Sequence, residues 1–128
     1  MNKTYLITAA IFGAVSVILG AFGAHGLKTR MNAEAFEIFE TAVKYQFYHV
    51  FALLAVAIVS QFIPSSFINW SGKCFIIGII LFCGSLYLLS YFKMISNQQM
   101  NWLGAVTPFG GLFFIAGWLL LAIAAIRS

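Results

Sequence analysis

Two histidines are the residues of this sequence best suited to chemistry. The chain has 128 residues; His25 lies in the segment GAFGAHGL and His49 ends the segment YQFYH. Because imidazole nitrogens bind haem iron or join metal sites, we interpret the pair as a candidate ligand site supported by Tyr45 and Tyr48. The competing interpretation is that each imidazole only satisfies a hydrogen bond, to a carbonyl, a tyrosine, water or an acid such as Glu40.

Other site chemistries find less support around these histidines. Two histidines without a nearby Cys, Asp or third His make a poor metal site. The sequence has no GxSxG or HExxH motif, no phosphate-binding glycine loop and no acidic pair within an apolar run. We therefore predict no catalytic residues, no metal and no cofactor, with haem held by His25 and His49 as the alternative.

The elements that must position these residues are membrane-spanning helices. Hydrophobic residues make up 62% of the chain and charged residues 8%, against about 45–50% and about 25% in soluble domains. Four runs lack Lys, Arg, Asp and Glu, and each approaches or exceeds the roughly 20 residues of helix that cross a bilayer: 4–27, 45–72, 74–92 and 94–126. Transmembrane strands would alternate polar and apolar residues. The sequence thus predicts an all-α integral membrane protein, an antiparallel bundle of four transmembrane helices in one domain, 1–128.

Charges and prolines set the expected helix boundaries. We expect helix 1 at about 5–25, an amphipathic interfacial helix at about 32–44, helix 2 at about 45–63, helix 3 at about 74–92 and helix 4 at about 102–126. Residues 64–73 are expected to form the turn after helix 2, and MISNQQMN a polar connection before helix 4. An interior Pro108 would cost about 3 kcal/mol, so a start at residue 108 with Thr107 as N-cap is favoured.

Small residues and the alternation of helix direction indicate how the helices meet. Close packing is expected at the glycines of helices 1 and 4, where backbones can approach: Gly13, Gly20, Gly23, Gly110, Gly111 and Gly117. Polar residues inside a membrane usually have a partner or a task. Those of this chain are expected near the membrane surface opposite the termini, below or beside the acidic segment that contains Glu40: His25, Tyr45, Tyr48, His49, Tyr91, Asn101 and Thr107.

Three segments carry a resemblance to a known family. GAFGAHGL, YQFYH and TPFGGLFFIAGW at residues 107–118 resemble the YgdD/YwdK family of small bacterial membrane proteins, and the similarity extends over nearly the whole chain. The resemblance implies four transmembrane helices and a location in the bacterial inner (plasma) membrane. It supplies no reaction.

The leading functional hypothesis is a non-enzymatic scaffold or accessory subunit. Its acidic and aromatic face would bind membrane lipid or a larger membrane complex. One alternative is a cofactor- or solute-binding protein using His25 and His49, and another is a homo-oligomeric conductor of protons or a small solute. The net charge of +4 is spread along the chain, which argues against a nucleic-acid partner.

Overall fold

The computed structural model describes residues 2–95 and 101–128, and it contains four helices long and apolar enough to cross a membrane. They are α1 (Lys3–Leu27), α2 (Ala33–Val59), α3 (Ser66–Ile95) and α4 (Asn101–Ile126). Short π-helical turns occupy Gly23–Leu27 at the end of α1 and Ile79–Cys83 within α3. Consecutive helices form the main packing pairs. The predicted four-helix membrane bundle is confirmed, while most of the predicted polar connection lies outside the described residues.

Both chain ends lie at one end of the bundle, which we call the terminal face. The backbone N–H of Asn2 donates to the Ser60 hydroxyl over 3.1 Å, joining the start of α1 to the end of α2. The Arg127 guanidinium lies 5.6 Å from the ring centroid of Phe67, at the start of α3. The α1–α2 connection and the end of α3 therefore lie at the other end, which we call the opposite face.

The amphipathic segment and the second span form a single helix. α2 begins after Asn32, whose side chain accepts a hydrogen bond from the Ala35 N–H over 2.7 Å, and it continues for 27 residues, about 40 Å. The expected division near residue 45 is corrected, because nothing in the backbone interrupts the helix there. α2 ends at Val59 rather than near residue 63, because the N–H groups of Gln61 and Phe62 bond three residues back instead of four, in turns that lead to Pro64.

α3 begins at Ser66, about two turns earlier than expected. Ser65 caps its first turn, and the buried Ser71 hydroxyl donates to the Gly117 carbonyl of α4 over 2.7 Å. Residues 66–73 are thus helix packed on helix rather than the expected turn. Lys73, which suggested the boundary, is accommodated on the exposed side of this first part of α3.

α4 passes through Pro108 instead of beginning there. The proline lacks an N–H and its ring crowds the carbonyl of Gly104, four residues earlier. The backbone has room to adjust, because a Cβ added at Gly104 would meet nothing within 4 Å. The preceding turns stay helical since Leu103 is buried and the Thr107 hydroxyl lies 2.6 Å from the Ser85 hydroxyl of α3.

Candidate functional site

His49 lies at the centre of an aromatic cluster inside the bundle. The residue is only 5% exposed, and its imidazole stacks on Phe114 with ring centroids 3.5 Å apart. Phe75 and Trp118 approach the same ring at centroid distances of 5.8 and 6.0 Å. His49 therefore joins α2 to α3 and to α4.

The depth of His49 differs from the expectation. At about 1.5 Å per residue the imidazole lies roughly 15 Å from the α2 terminus at the terminal face, and its neighbours Phe75 and Trp118 lie at similar distances from their own helix ends. This is the middle of the span rather than a membrane surface. His49 was expected near a membrane surface because the charged residues before it in α2 were taken to lie outside the membrane. In the structure α2 carries these charged residues well into the bundle.

Both imidazole nitrogens of His49 are engaged within the protein. Nδ1 donates to the Tyr45 carbonyl over 2.8 Å, and Nε2 accepts from the Trp118 indole N–H over 3.2 Å. These partners define the neutral tautomer with its proton on Nδ1. Since neither nitrogen is free, the geometry supports a structural role in which His49 connects α2 to α4.

His25 lies elsewhere. It is exposed, in the π-helical turn that ends α1. The neighbouring Gly23 packs against Phe39 of α2, so His25 and His49 are separated by roughly 18 Å along the bundle axis at 1.5 Å per residue. The structure does not bring the two histidines together, and no single iron could take both as axial ligands in this arrangement.

A second polar cluster links α1, α2 and α3 near His49. Gln46 is 3% exposed, and its side-chain oxygen accepts from the Tyr87 hydroxyl over 2.6 Å. Its amide nitrogen donates to the Phe12 carbonyl of α1 over 3.0 Å. Neither Gln46 nor Tyr87 is among the candidate residues predicted from the sequence. An amide in the apolar half of α2, one turn from His49, was the signal available.

The remaining candidate residues occupy separate environments. The Tyr45 ring packs on Phe82 of α3 at 4.8 Å and on Tyr48 at 5.7 Å between centroids. Thr107 pairs with Ser85, about 10 Å along α4 from the aromatic ring that stacks on His49. The predicted cluster is therefore divided between the bundle interior, the α3–α4 contact and the outer surface of α2.

Glu40 borders a groove of about 180 Å³ between α1 and α2. The groove has apolar walls and a charged rim formed by Glu40 and Lys44; its other lining residues are Gly20, Gly23, Ala24, Phe36, Phe39 and Val43. Both rim residues are exposed, and within residues 2–95 and 101–128 neither forms an ion pair or hydrogen bond. Glu34 instead pairs with Lys93 of α3 over 2.9 Å.

The six glycines expected to pack divide into two groups. A Cβ added at Gly23, Gly110 or Gly117 would collide with Phe39, Phe82 or Phe75 respectively. At the other three positions the nearest atom would lie at an ordinary contact distance of 3.5 to 3.9 Å: Gly13, Gly20 and Gly111.

Buried polar side chains of the described residues are already hydrogen-bonded within the protein. Across the part of the chain that the structure describes, every buried side-chain nitrogen and oxygen has a hydrogen-bond partner. Within the same residues, no three His, Cys, Asp or Glu side chains are grouped as a metal ion would require.

Comparisons with known proteins agree with the fold. The family model described as "Protein of unknown function (DUF423)" matches residues 19–111. The chain is 42% identical over 126 residues to the UPF0382 inner membrane protein YgdD of Escherichia coli, covering 98% of this chain and 92% of that protein. It is 36% identical over 126 residues to the UPF0382 membrane protein YwdK of Bacillus subtilis, covering 98% of each. A UPF0382 membrane protein of Staphylococcus haemolyticus is 40% identical over 125 residues, 98% of this chain and 97% of its own. No solved structure matches.

Proposed function

We propose that this chain, which belongs to the DUF423 family and is related to the UPF0382 membrane proteins YgdD and YwdK, is a non-enzymatic scaffold or accessory subunit that binds another protein within the membrane. The resemblance to the YgdD/YwdK family is thereby confirmed, as is the location, a multi-pass protein of the bacterial inner membrane. The scaffold role is argued from the bundle interior and from the outer surface of α2.

The bundle interior supports a packing role rather than a reaction. His49 and Gln46 are the buried side chains with the most hydrogen-bonding capacity in α2, and both are bonded to neighbouring helices. A side chain that acts on a ligand must present a polar atom to it. His49 and Gln46 use their polar atoms for contacts between helices, which favours a structural role for the interior and leaves the outer surface as the place where a partner would bind.

The outer surface of α2 carries an unusual set of exposed residues, which we call the outer stripe. Its members recur every three or four residues and so share one side of the helix; they are Glu37, Glu40, Lys44, Tyr48 and Phe51. Tyr48 is 55% exposed and Phe51 62% exposed. Charged residues thus lie above large aromatic residues along a single surface.

The depth of the outer stripe is the observation that carries the proposal. The groove places Lys44 beside Gly20 of α1. From Gly20, α1 runs without a charged residue to Lys28, about 12 Å further along the axis at 1.5 Å per residue. Lys44 consequently lies about 12 Å deeper in the membrane than Lys28, the first charged residue after Gly20. Tyr48 lies one turn deeper still.

Charged side chains at this depth are costly when they face lipid. Transfer of a charged residue to the centre of a membrane helix costs about 2.5–3.5 kcal/mol on insertion scales. A lysine side chain can lean toward the headgroups, but the Tyr48 hydroxyl forms no hydrogen bond within the described residues and faces outward at mid-span. A protein partner relieves both costs by supplying hydrogen bonds, whereas lipid tails relieve neither.

Photo-cross-linking from the outer stripe tests this function. A photoreactive phenylalanine analogue at position 48, irradiated in membranes of the native host, is expected to form an adduct with a protein. The matched control carries the same analogue at Ile18, which is 64% exposed on the side of α1 turned away from α2. Adducts with lipid alone at position 48, or equal protein adducts from both positions, would contradict the proposal.

A further inference from the structure

We infer that the protein covering the outer stripe is a second copy of this chain, joined across a two-fold axis along the membrane normal. This inference rests on the proposed function, because it names the partner of the same surface. Two copies inserted in the same orientation share one depth, so α2 of one copy meets α2 of the other in parallel, with identical residues at identical levels. A surface that binds its own copy must therefore be complementary to itself.

The charges of the outer stripe meet this requirement. Glu40 and Lys44 are opposite in sign, one helical turn apart, and without a partner among the described residues. Parallel helix pairs place residues about one turn apart in contact across the interface, as the e and g positions of coiled coils do. Glu40 of each copy thereby reaches Lys44 of the other, and a single two-fold contact forms two ion pairs.

The neighbouring charges do not offer the same arrangement. Glu34 is already paired with Lys93, and Glu37 has no basic residue one turn below it, because residue 41 is Thr41. The pair at Glu40 and Lys44 is also the pair that borders the groove between α1 and α2. The groove gives the partner copy an apolar recess directly beside the charges, so ionic and apolar contacts coincide.

The aromatic part of the outer stripe continues the same contact toward the membrane centre. Tyr48 and Phe51 follow Lys44 at intervals of four and three residues, and both are more than half exposed. Phe51 lies midway between Glu40 and Lys44 around the helix and therefore faces its own counterpart across a two-fold axis. Tyr48 lies about 60° to one side, at the edge of the contact, where the partner copy can supply its hydroxyl with a hydrogen bond that lipid cannot.

Charge-reversal variants distinguish a second copy of this chain from any other partner. We expect the purified protein in lipid nanodiscs to have the mass of a dimer. Glu40→Lys and Lys44→Glu each place like charges opposite one another, and each variant is expected to raise the dimer dissociation constant by about tenfold or more. The two single variants, mixed and distinguished by tags, are expected to recover a mixed dimer because their charges are again complementary.

Lys28→Glu provides the matched control. It makes the same change of charge at an exposed position of the opposite face, outside the outer stripe, and is expected to leave the dimer intact. The helical circular dichroism of each variant reports whether it folds. If the single variants fail to fold, oxidation of Phe51→Cys with the charges unchanged is read instead, and a cross-linked dimer is expected.

The outcomes distinguish the inference from the function on which it rests. A monomeric wild-type protein without a Phe51→Cys dimer overturns the inference, as does a dimer indifferent to both charge reversals. If position 48 then forms adducts with a different protein, the scaffold function stands and only its partner was misidentified. If position 48 contacts lipid alone, both proposals fail.

Discussion

Two adjacent glycines of α4 give a sharp test of how closely α3 and α4 approach. A Cβ added at Gly110 would collide with the backbone of Phe82, whose Cα would lie 2.7 Å away, well inside the 3.4 Å at which ordinary contact begins. A Cβ added at Gly111 would approach only the Phe82 ring, at 3.9 Å. Backbone cannot rotate aside as a side chain can, so an alanine at Gly110 must push the two helices apart.

The expected magnitude follows from this geometry. Overpacking of a close contact costs about 1–3 kcal/mol, while the removal of a glycine from a helix returns about 0.5–1 kcal/mol at either position. Gly110→Ala is therefore expected to be less stable than Gly111→Ala by about 1–3 kcal/mol, and Gly111→Ala to equal or exceed the wild type. Unfolding in sodium dodecyl sulfate, followed by circular dichroism, measures both. Equal stabilities for the two variants would refute the close α3–α4 contact.

Three further predictions concern polar contacts between helices. A double-mutant cycle of His49→Phe and Trp118→Phe is expected to yield a coupling energy of about 0.6–1.7 kcal/mol, the range of hydrogen bonds in membranes; no coupling would show that the indole and imidazole do not bond. Tyr87→Phe is expected to lower the free energy of unfolding by about 1–2 kcal/mol, because the buried Gln46 oxygen loses its donor, and an unchanged unfolding curve would contradict that bond. Glu34→Gln is expected to cost less than about 1 kcal/mol, with an effect that fades in high salt, since this acid is 68% exposed; a larger, salt-independent loss would mean that the ion pair is shielded.

The number and direction of the helices could be predicted from the sequence because charge is so rare in it. Runs without charged residues define four spans, and these runs lack the alternation of polar and apolar residues that a barrel, the other structure able to satisfy the backbone in lipid, would require. The helix ends were less predictable. Lys73 suggested a turn, yet Ser71 just before it bonds to α4, and a contact between distant helices leaves no local signal. Pro108 is tolerated for the same reason, since Ser85 of another helix holds the turn before it.

The candidate site was predictable in composition but not in position. His49 was identified as a polar residue within a span, which its residue type alone indicates. Its depth depends on where α2 enters the membrane, and Glu40 and Lys44 were taken as markers of the surface although they lie beside the apolar part of α1. The separation of His25 from His49 follows from the α1–α2 register, which Gly23 and Phe39 set through packing.

Spin labels on α2 report whether the outer stripe meets a second copy of itself. Labels are attached at Phe51→Cys or at Ile18→Cys, with the buried Cys74 and Cys83 replaced by alanine, and both continuous-wave and pulsed dipolar spectra are recorded in lipid nanodiscs, so that short and long distances are detected. Helices in contact lie about 8–10 Å apart. A short distance is therefore expected between the two labels at position 51 and a longer one at position 18. No dipolar coupling at position 51 in either kind of spectrum, or a shorter distance at position 18, would show that the stripe does not meet its own copy.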